Sequence, residues 1–283
     1  EQLTFLHTTM RPTFIQQLQA AAAQNDSMLC VGLDPDISRL PRGWSGDAGK
    51  FYDFCAAIVD ATADLAIAFK PQIAYFAAVG AENQLEKLIA HIRRVAPKVP
   101  VILDAKRGDI GSTAAQYAKE AYERFDADAV TLSPYMGFDS VAPYLQYAGK
   151  GTFLLCRTSN PGGDDLQNLD LAGGEKLYER VARLAGSSWN GNGQMGLVVG
   201  ATYPQEIARV RALAPTLPLL IPGVGAQGGD ADATVKAAWA GAGSCVINSS
   251  RAILYASDGA DFADAARRVA LETRAQLNAA KPV

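Results

Sequence analysis

Short runs of β-branched and other apolar residues recur along the chain, and they predict eight β-strands. The predicted strands cover residues 28–33, 65–69, 101–103, 129–132, 153–156, 196–199, 219–221 and 245–247. The runs are continuously apolar rather than alternating between apolar and polar residues. Strands of this kind are buried on both faces, which is typical of a parallel sheet covered by helices.

Stretches with the periodicity of an amphipathic helix separate the predicted strands. They cover residues 51–63, 74–95, 112–125, 177–189, 204–213 and 231–240, with a leading N-terminal helix at 11–24 and a final helix at 260–277. Strand and helix alternate throughout, which favours a closed (β/α)₈ TIM barrel over an open sheet. Residues 41–49 and 160–174 are irregular and are interpreted as loops. No linker or repeat array divides the sequence, so we expect a single barrel domain over residues 1–283.

Composition and charge exclude several classes of protein. Apolar residues make up 49% of the 283 residues, which is enough for one sizeable core. The formal net charge of −3 provides no broad cationic field, so binding to nucleic acid or to an anionic membrane is not expected. The sequence shows neither a signal-peptide pattern nor an apolar run of about 18 residues, so we expect a cytoplasmic location. A small phosphorylated metabolite, held by a local site, fits these constraints.

The cysteines and histidines do not form a metal-binding pattern. Three of the four cysteines lie in predicted strands and the fourth lies in a predicted helix, and none has CxxC spacing; they are Cys30, Cys156, Cys245 and Cys55. We interpret them as buried reduced thiols. The two histidines have no ligand-like spacing, so a zinc site is not expected.

Charged and other polar residues follow several predicted strands at their C-terminal ends, where barrels of this class form their active sites. These residues are Asp34 after the first strand, Lys70 after the second, Asp104, Lys106 and Asp109 after the third, and Arg157, Thr158 and Ser159 after the fifth. Alternating acids and lysines at one rim can form an ion-pair network in which the carboxylates keep the lysines charged. Four such charges from three strands favour catalysis over simple strand capping.

The segment Asp-Ala-Lys-Arg-Gly-Asp at residues 104–109 is the most informative part of this rim. If strand geometry persists, Asp104 and Lys106 point to the same side, because side chains alternate along a strand. They could then contact one substrate together. Asp109 falls in the following turn, and this position allows it either to face the pocket or to extend toward a neighbouring subunit.

Two glycine- and serine-containing loops late in the sequence predict a phosphate site. Residues 222–229 (PGVGAQGG) follow the seventh strand, and Ser249, Ser250 and Arg251 follow the eighth. Exposed amides and a guanidinium bind a phosphate dianion through charge-assisted hydrogen bonds. The first loop also matches the dinucleotide pattern GxGxxG, but no acidic residue follows about twenty residues later and the motif lies late in the chain.

Six motifs in this order resemble one family, the orotidine 5′-monophosphate decarboxylases, and specifically their long-loop bacterial subgroup (type 2). The motifs are VGLDPD at 31–36, FKPQ at 69–72, DAKRGDIGST at 104–113, TSNPGG at 158–163, PGVGAQGG at 222–229 and SSR at 249–251. The resemblance spans nearly the whole chain. It implies a TIM barrel that decarboxylates orotidine 5′-monophosphate to uridine 5′-monophosphate (UMP), the last step of de novo UMP synthesis, without a cofactor or metal.

The resemblance also implies roles for the charged residues. Asp34 and Lys70 would hold the ribose hydroxyls and complete the charge network. Asp104 would face the substrate carboxylate, and Lys106 would deliver the proton to C6 of the pyrimidine. Asp109 would act together with Thr113 across a homodimer interface, in the partner's site.

The remaining implied roles concern the base and the phosphate. Ser159 would read the pyrimidine edge, and Gln227 and Arg251 would bind the phosphate, beside Pro222 and the backbone of Ser250. Two departures from the family are visible: residues 40–49 look like an insertion, and Ser250 stands where other members often have glycine.

Three alternatives remain open. Metal-dependent relatives such as 3-hexulose-6-phosphate synthase or 3-keto-L-gulonate-6-phosphate decarboxylase share the Asp-x-Lys-x-x-Asp run, but they typically carry a magnesium-binding glutamate where this chain has Lys70. A Schiff-base aldolase would need Lys106 as a neutral amine, whereas neighbouring carboxylates favour the charged form. A barrel that binds a phosphorylated metabolite without turnover is the non-enzyme alternative.

Overall fold

The computed structural model describes residues 11–224 and 230–282. Their parallel strands are β1 Leu29–Leu33, β2 Ala68–Pro71, β3 Ile102–Arg107, β4 Ala129–Leu132, β5 Gly151–Arg157, β6 Met195–Val199, β7 Leu219–Ile221 and β8 Cys245–Ser249. The strands pair in the order β2-β1-β8-β7-β6-β5-β4-β3. Bridges from Phe69 to Val101 and from Gln72 to Asp104 join β2 to β3. The sheet is therefore a barrel, and the predicted fold class is confirmed.

Helices connect the strands and cover the outside of the barrel. They are α1 Phe14–Asn25, α2 Phe51–Thr62, α3 Ile73–Ala77, α4 Glu82–Val95, α5 Gly111–Lys119, α6 Ala142–Leu145, α7 Leu177–Ala185, α8 Pro204–Leu213, α9 Ala231–Ala238, α10 Arg251–Leu254 and α11 Phe262–Ala279. A π-helical turn, Glu120–Arg124, continues α5. All eight strands and all predicted helices have a counterpart at or near the predicted positions.

The main difference concerns residues 74–95, which the apolar periodicity predicts as one helix. The structure contains two helices, α3 and α4, because the chain turns at residues 78–81. Gly80 has a φ of +67° there, a left-handed conformation that ends α3 and that glycine adopts without steric cost. Periodicity alone missed this break, because apolar residues continue on both sides of it.

Two apolar layers explain why the strands are continuously apolar. One set of strand side chains packs outward against the helices, and the other set fills the barrel interior. Phe14 and Leu18 of α1 belong to the interior cluster, together with strand residues such as Phe153. The rings of Phe14 and Phe153 meet edge to face at 5.6 Å. The leading helix α1 therefore closes the N-terminal end of the barrel, and the opposite end remains for a site.

The Phe14→Ala variant is expected to lose about 3–5 kcal/mol of unfolding free energy, because it leaves a cavity under a fully buried ring. A Cβ at Gly151 would lie 2.2 Å from the Phe14 ring, so the backbone is already packed closely against it. Urea denaturation followed by circular dichroism measures the loss. The exposed position Gln24 on the same helix provides the control, and Gln24→Ala should change stability by no more than about 0.5 kcal/mol. Equal effects of the two substitutions would contradict this role for α1.

Candidate active site

Two lysines and one aspartate form an ion-pair network at the C-terminal end of the barrel. Lys70, in β2, places its Nζ 2.7 Å from Oδ2 of Asp104, in β3. Lys106 places its Nζ 2.6 Å from the other oxygen, Oδ1. Lys70 and Asp104 are buried, whereas the Lys106 side chain is 45% exposed. The network thus presents one lysine to the opening and holds the second beneath it.

Lys106 reaches this position through an irregularity in β3. Its φ is +48°, in the left-handed region, and the pairing of β3 with β4 shifts register between Leu103 and Arg107. The proximity of Lys106 to Asp104 agrees with the sequence-based expectation, although β3 is irregular at Lys106 and does not keep regular strand dihedral angles there. Non-glycine residues in this region carry backbone strain, which surrounding contacts must offset.

Thr131 of β4 provides those contacts. Its hydroxyl accepts hydrogen bonds from the backbone N–H groups of Ala105 and Lys106, both at 3.0 Å, and donates to Asp104 Oδ1 at 2.9 Å. One threonine therefore supports both the bent backbone and the central carboxylate. Thr131 was not among the predicted site residues, although a polar residue within an apolar strand was an available signal.

Electrostatics keep the buried pair charged. Burial alone would lower the pKa of Lys70, but Asp104 and Asp34 outweigh it, so the pKa lies above its ordinary value of 10.5. Burial alone would raise the pKa of Asp104, but Lys70 and Lys106 hold it below its ordinary value of 3.8. Both groups are therefore ionised at neutral pH.

Two buried polar oxygens near this network have no hydrogen-bond partner among the described residues. They are Oδ1 of Asp34, in the loop after β1, and Oδ1 of Asn248, in β8. A buried acceptor without a partner indicates space for a donor such as a hydroxyl or a water molecule. Asn248 was not among the predicted site residues, and its polar side chain in the last strand was the signal for it.

A cavity of about 100 Å³ lies directly above the charged network. It is lined by Lys70, Asp104, Lys106, Thr131, Leu155, Thr158, Ser159, Val198, Leu220 and Pro222. The polar lining residues lie on β2, β3 and β4 and directly after β5. The apolar lining residues lie on β5, β6 and β7 and directly after β7. This combination suits a ligand that has both a flat apolar surface and hydrogen-bonding edges.

The predicted phosphate residues lie beside β8. Ser250 precedes α10, Arg251 is its first residue, and the Arg251 side chain is exposed. Ser250 packs against Gly32 of β1 so closely that a Cβ on this glycine would lie 1.8 Å from the Ser250 hydroxyl oxygen. Gln227 lies outside the described residues. The structure therefore positions Ser250 and Arg251 at the same end of the barrel as the charged network.

Comparisons with known proteins agree with this arrangement. The family model described as "Orotidine 5'-phosphate decarboxylase / HUMPS family" matches residues 27–266. The chain belongs to this family.

Its relatives include orotidine 5′-phosphate decarboxylases from Polaromonas naphthalenivorans, 74% identical over 95% of this chain and 96% of the relative, and from Albidiferax ferrireducens, 70% identical over 95% of this chain and 99% of the relative. The structure of Leishmania donovani OMP decarboxylase superposes with a TM-score of 0.80 at 41% identity, covering 94% of this chain and 99% of that one. The likeness extends over nearly the whole chain.

Asp109 and Thr113 lie away from the cavity of this member of the family. The Asp109 carboxylate accepts a hydrogen bond from the backbone N–H of Ile110 at 2.8 Å, and Thr113 is exposed on α5. Within the described chain, Lys106 forms its ion pair with Asp104 and not with Asp109. The role expected of Asp109 across a homodimer interface therefore stays a prediction.

The described ranges contain no group of three or more His, Cys, Asp or Glu side chains placed to hold a metal ion. His91, on α4, contacts Asp60 at 2.6 Å, away from the charged network. The four cysteines are buried and unpaired, and burial raises the pKa of Cys30 to about 12. None of the helices described here is both long and apolar enough to cross a membrane.

Proposed function

We infer that the chain decarboxylates orotidine 5′-monophosphate to UMP in pyrimidine biosynthesis. The observation that carries this inference is the contact of Lys106 with the buried Asp104, at the mouth of a barrel that belongs to the decarboxylase family. Biosynthesis of a soluble nucleotide also agrees with a cytoplasmic location. The reaction proceeds without a cofactor, because the charges of the chain itself provide the stabilisation that the chemistry needs.

Lys106 acts on the carbanion and then protonates it. When the bond between C6 and the carboxylate carbon breaks, carbon dioxide leaves and the electron pair remains on C6, in an orbital that the π-system does not delocalise. The Lys106 ammonium stabilises this charge and then transfers a proton from Nζ to C6. The neutral amine recovers a proton from solvent, which the partly exposed side chain can reach.

Asp104 and Lys70 prepare the site for this step. Asp104 holds the Lys106 ammonium in place and lies where the substrate carboxylate would enter. Lys70 neutralises Asp104 from below and, together with Asp34, binds the ribose hydroxyls. Oδ1 of Asp34 has no hydrogen-bond partner among residues 11–224 and 230–282, and this supports the role, because a ribose hydroxyl would supply a donor.

The remaining residues bind the base and the phosphate. Ser159 lines the cavity and reads the pyrimidine edge, beside Pro222. Arg251, Gln227 and the backbone of Ser250 bind the phosphate. Since enzymes supply roughly 8–23 kcal/mol of acceleration and no single ion pair provides that much, binding energy from the phosphate must contribute at the transition state.

The test is to add orotidine 5′-monophosphate and a chelator to the purified chain and to follow the loss of orotate absorbance. Conversion to UMP at an unchanged rate with and without the chelator is the expected result. Loss of activity in the chelator, or turnover of a sugar phosphate only, would favour the metal-dependent branch of the family. Tight nucleotide binding without turnover would favour a binding protein.

We also propose that the active form is a homodimer in which Asp109 and Thr113 contact the partner's substrate. Ile110, next to Asp109, is 49% exposed, and large apolar side chains at Tyr135, Met136 and Phe138 are exposed as well. One open depression of about 570 Å³ nearby is lined by Ile110, Gly111, Asp139, Ala142, Pro143 and Gln146. An exposed apolar region beside an aspartate that does not line the cavity of its own chain supports a subunit interface.

Hybrid dimers test this arrangement. A dimer purified from co-expressed Lys106→Ala and Asp109→Ala chains contains one intact site if Asp109 acts across the interface, so about half of the wild-type activity is expected. The control is a hybrid of one Lys106→Ala chain and one Asp104→Asn chain. Each chain then carries a substitution in its own site, so this dimer should be inactive. An inactive Lys106→Ala/Asp109→Ala hybrid would place Asp109 in the site of its own chain.

A further inference from the structure

Tyr255 lies immediately after α10, the short helix that begins with the candidate phosphate-binding residue Arg251. The backbone N–H of Tyr255 donates to the carbonyl oxygen of Arg251 at 3.1 Å, so one helical turn sets the position of Tyr255 relative to Arg251. The side chain of Tyr255 extends from there toward the loop after β1.

The Tyr255 hydroxyl bridges two backbone groups of that loop. It accepts a hydrogen bond from the N–H of Asp36 at 2.8 Å and donates one to the carbonyl oxygen of Asp34 at 2.8 Å. Burial raises the pKa of Tyr255 above its ordinary value, so the hydroxyl keeps its proton and can donate at neutral pH. Both short bonds are therefore available under the conditions in which the enzyme works.

Packing against two neighbouring side chains restricts the direction of the Tyr255 ring. The ring is nearly parallel to that of Phe54 in α2, with an interplanar angle of 12° and a centroid distance of 6.1 Å. The Arg39 guanidinium lies 4.0 Å from the ring centroid. A ring held in this way gives its hydroxyl little freedom, so the loop backbone is held at a defined place.

The Asp34 carboxylate depends on this backbone. Its Oδ1 is buried without a hydrogen-bond partner in the described part of the chain, so the position of the main chain largely determines where this oxygen points. We propose that Tyr255 is a positioning residue whose hydroxyl fixes Asp34 relative to Arg251, so that the ribose and the phosphate of one nucleotide are bound at a set spacing. This proposal rests on the proposed function.

The Tyr255→Phe variant removes the hydroxyl and keeps the contacts of the ring with Phe54 and Arg39. We expect kcat/KM for orotidine 5′-monophosphate to fall about tenfold and the Kd of UMP to rise to a similar extent, because small displacements of a positioned group are costly. The control is Tyr122→Phe, since the Tyr122 hydroxyl donates to the Gly151 carbonyl at 2.6 Å at the start of β5. This control variant should have a lower melting temperature, with kcat/KM for orotidine 5′-monophosphate and the Kd of UMP unchanged.

A double-mutant cycle separates positioning from general stabilisation. If Tyr255 acts through Asp34, then adding Tyr255→Phe to an Asp34→Ala chain should change the Kd of UMP by less than about twofold, the scatter expected for independent sites. The proposal would be overturned if Tyr255→Phe raised the Kd of UMP by the same factor in chains with and without the Asp34 carboxylate. It would also be overturned if the Kd of UMP were unchanged in the Tyr255→Phe chain. The proposed function fails separately, if the wild-type chain does not convert orotidine 5′-monophosphate.

Discussion

The Lys106→Ala variant is expected to lose at least about 10⁴-fold in kcat/KM for orotidine 5′-monophosphate, because it removes the proposed general acid together with the positive charge that is proposed to act at C6. Stability should change little, since this side chain is 45% exposed and Asp104 retains its bonds to Lys70 and Thr131. The loss of orotate absorbance measures the rate, and thermal unfolding checks that the fold is intact.

Lys236→Ala is the matched control for this prediction. Lys236 forms an exposed ion pair with Asp232 at 2.7 Å on α9, so its removal should leave kcat/KM unchanged. If Lys106→Ala kept more than about a hundredth of the wild-type activity, Lys106 could not be the general acid, because such groups contribute about 10²–10⁴-fold on their own.

The Asp104→Asn variant should have the second largest effect and should affect stability as well as rate. The substitution keeps the shape but leaves the buried Lys70 ammonium without its carboxylate. Breaking a buried ion pair from one side costs about 3–5 kcal/mol, and we expect a loss of this size in urea denaturation. Asp232→Asn, in the exposed pair on α9, should cost no more than about 1 kcal/mol. Similar losses for both variants would mean that burial does not strengthen the Asp104 network.

The pH dependence of this stability follows from the direction of the pKa shift. The pKa of Asp104 lies below 3.8 in the folded chain. A carboxyl whose pKa is lower in the folded chain than in the unfolded chain stabilises the fold fully above the pKa of the unfolded state. This contribution to the free energy of unfolding is lost as the pH falls toward the pKa of the folded state. Between about pH 6 and pH 3, the stability difference between wild type and Asp104→Asn should therefore shrink by about 1 kcal/mol. If the difference in unfolding free energy stayed constant over this pH range, the pKa of Asp104 would not be lowered in the folded chain.

Substrate affinity in the same variant tests whether Asp104 repels the substrate carboxylate. UMP lacks that carboxylate. If Asp104 repels the substrate carboxylate, Asp104→Asn should therefore lower the Kd of orotidine 5′-monophosphate more than the Kd of UMP. When the chemical step is slow, the KM of the substrate approaches its Kd, and the comparison becomes a direct one. If the substrate does not bind more tightly, ground-state repulsion makes no contribution to the rate.

The sequence alone determined the barrel and the charged rim of this protein. Its strands are buried on both faces along most of their length, so each one contains a mostly apolar run, and this made β1 to β8 visible as local runs. The ends of parallel strands meet at one rim, so Asp34, Lys70 and Asp104 could be placed together without knowing a single distance. The break between α3 and α4 was missed because it depends on one residue, Gly80, inside an otherwise helical pattern.

Only the tertiary structure decided how the site is held together. Lys106 contacts Asp104 through a left-handed backbone that Thr131 stabilises, and Thr131 lies 27 residues from Asp104. Tyr255 supports Asp34 across 221 residues. No local pattern encodes such contacts, because periodicity reports which face of an element is buried and not which distant side chain will satisfy its polar groups. Closure of the barrel brings these groups together, and with them the geometry on which the chemistry depends.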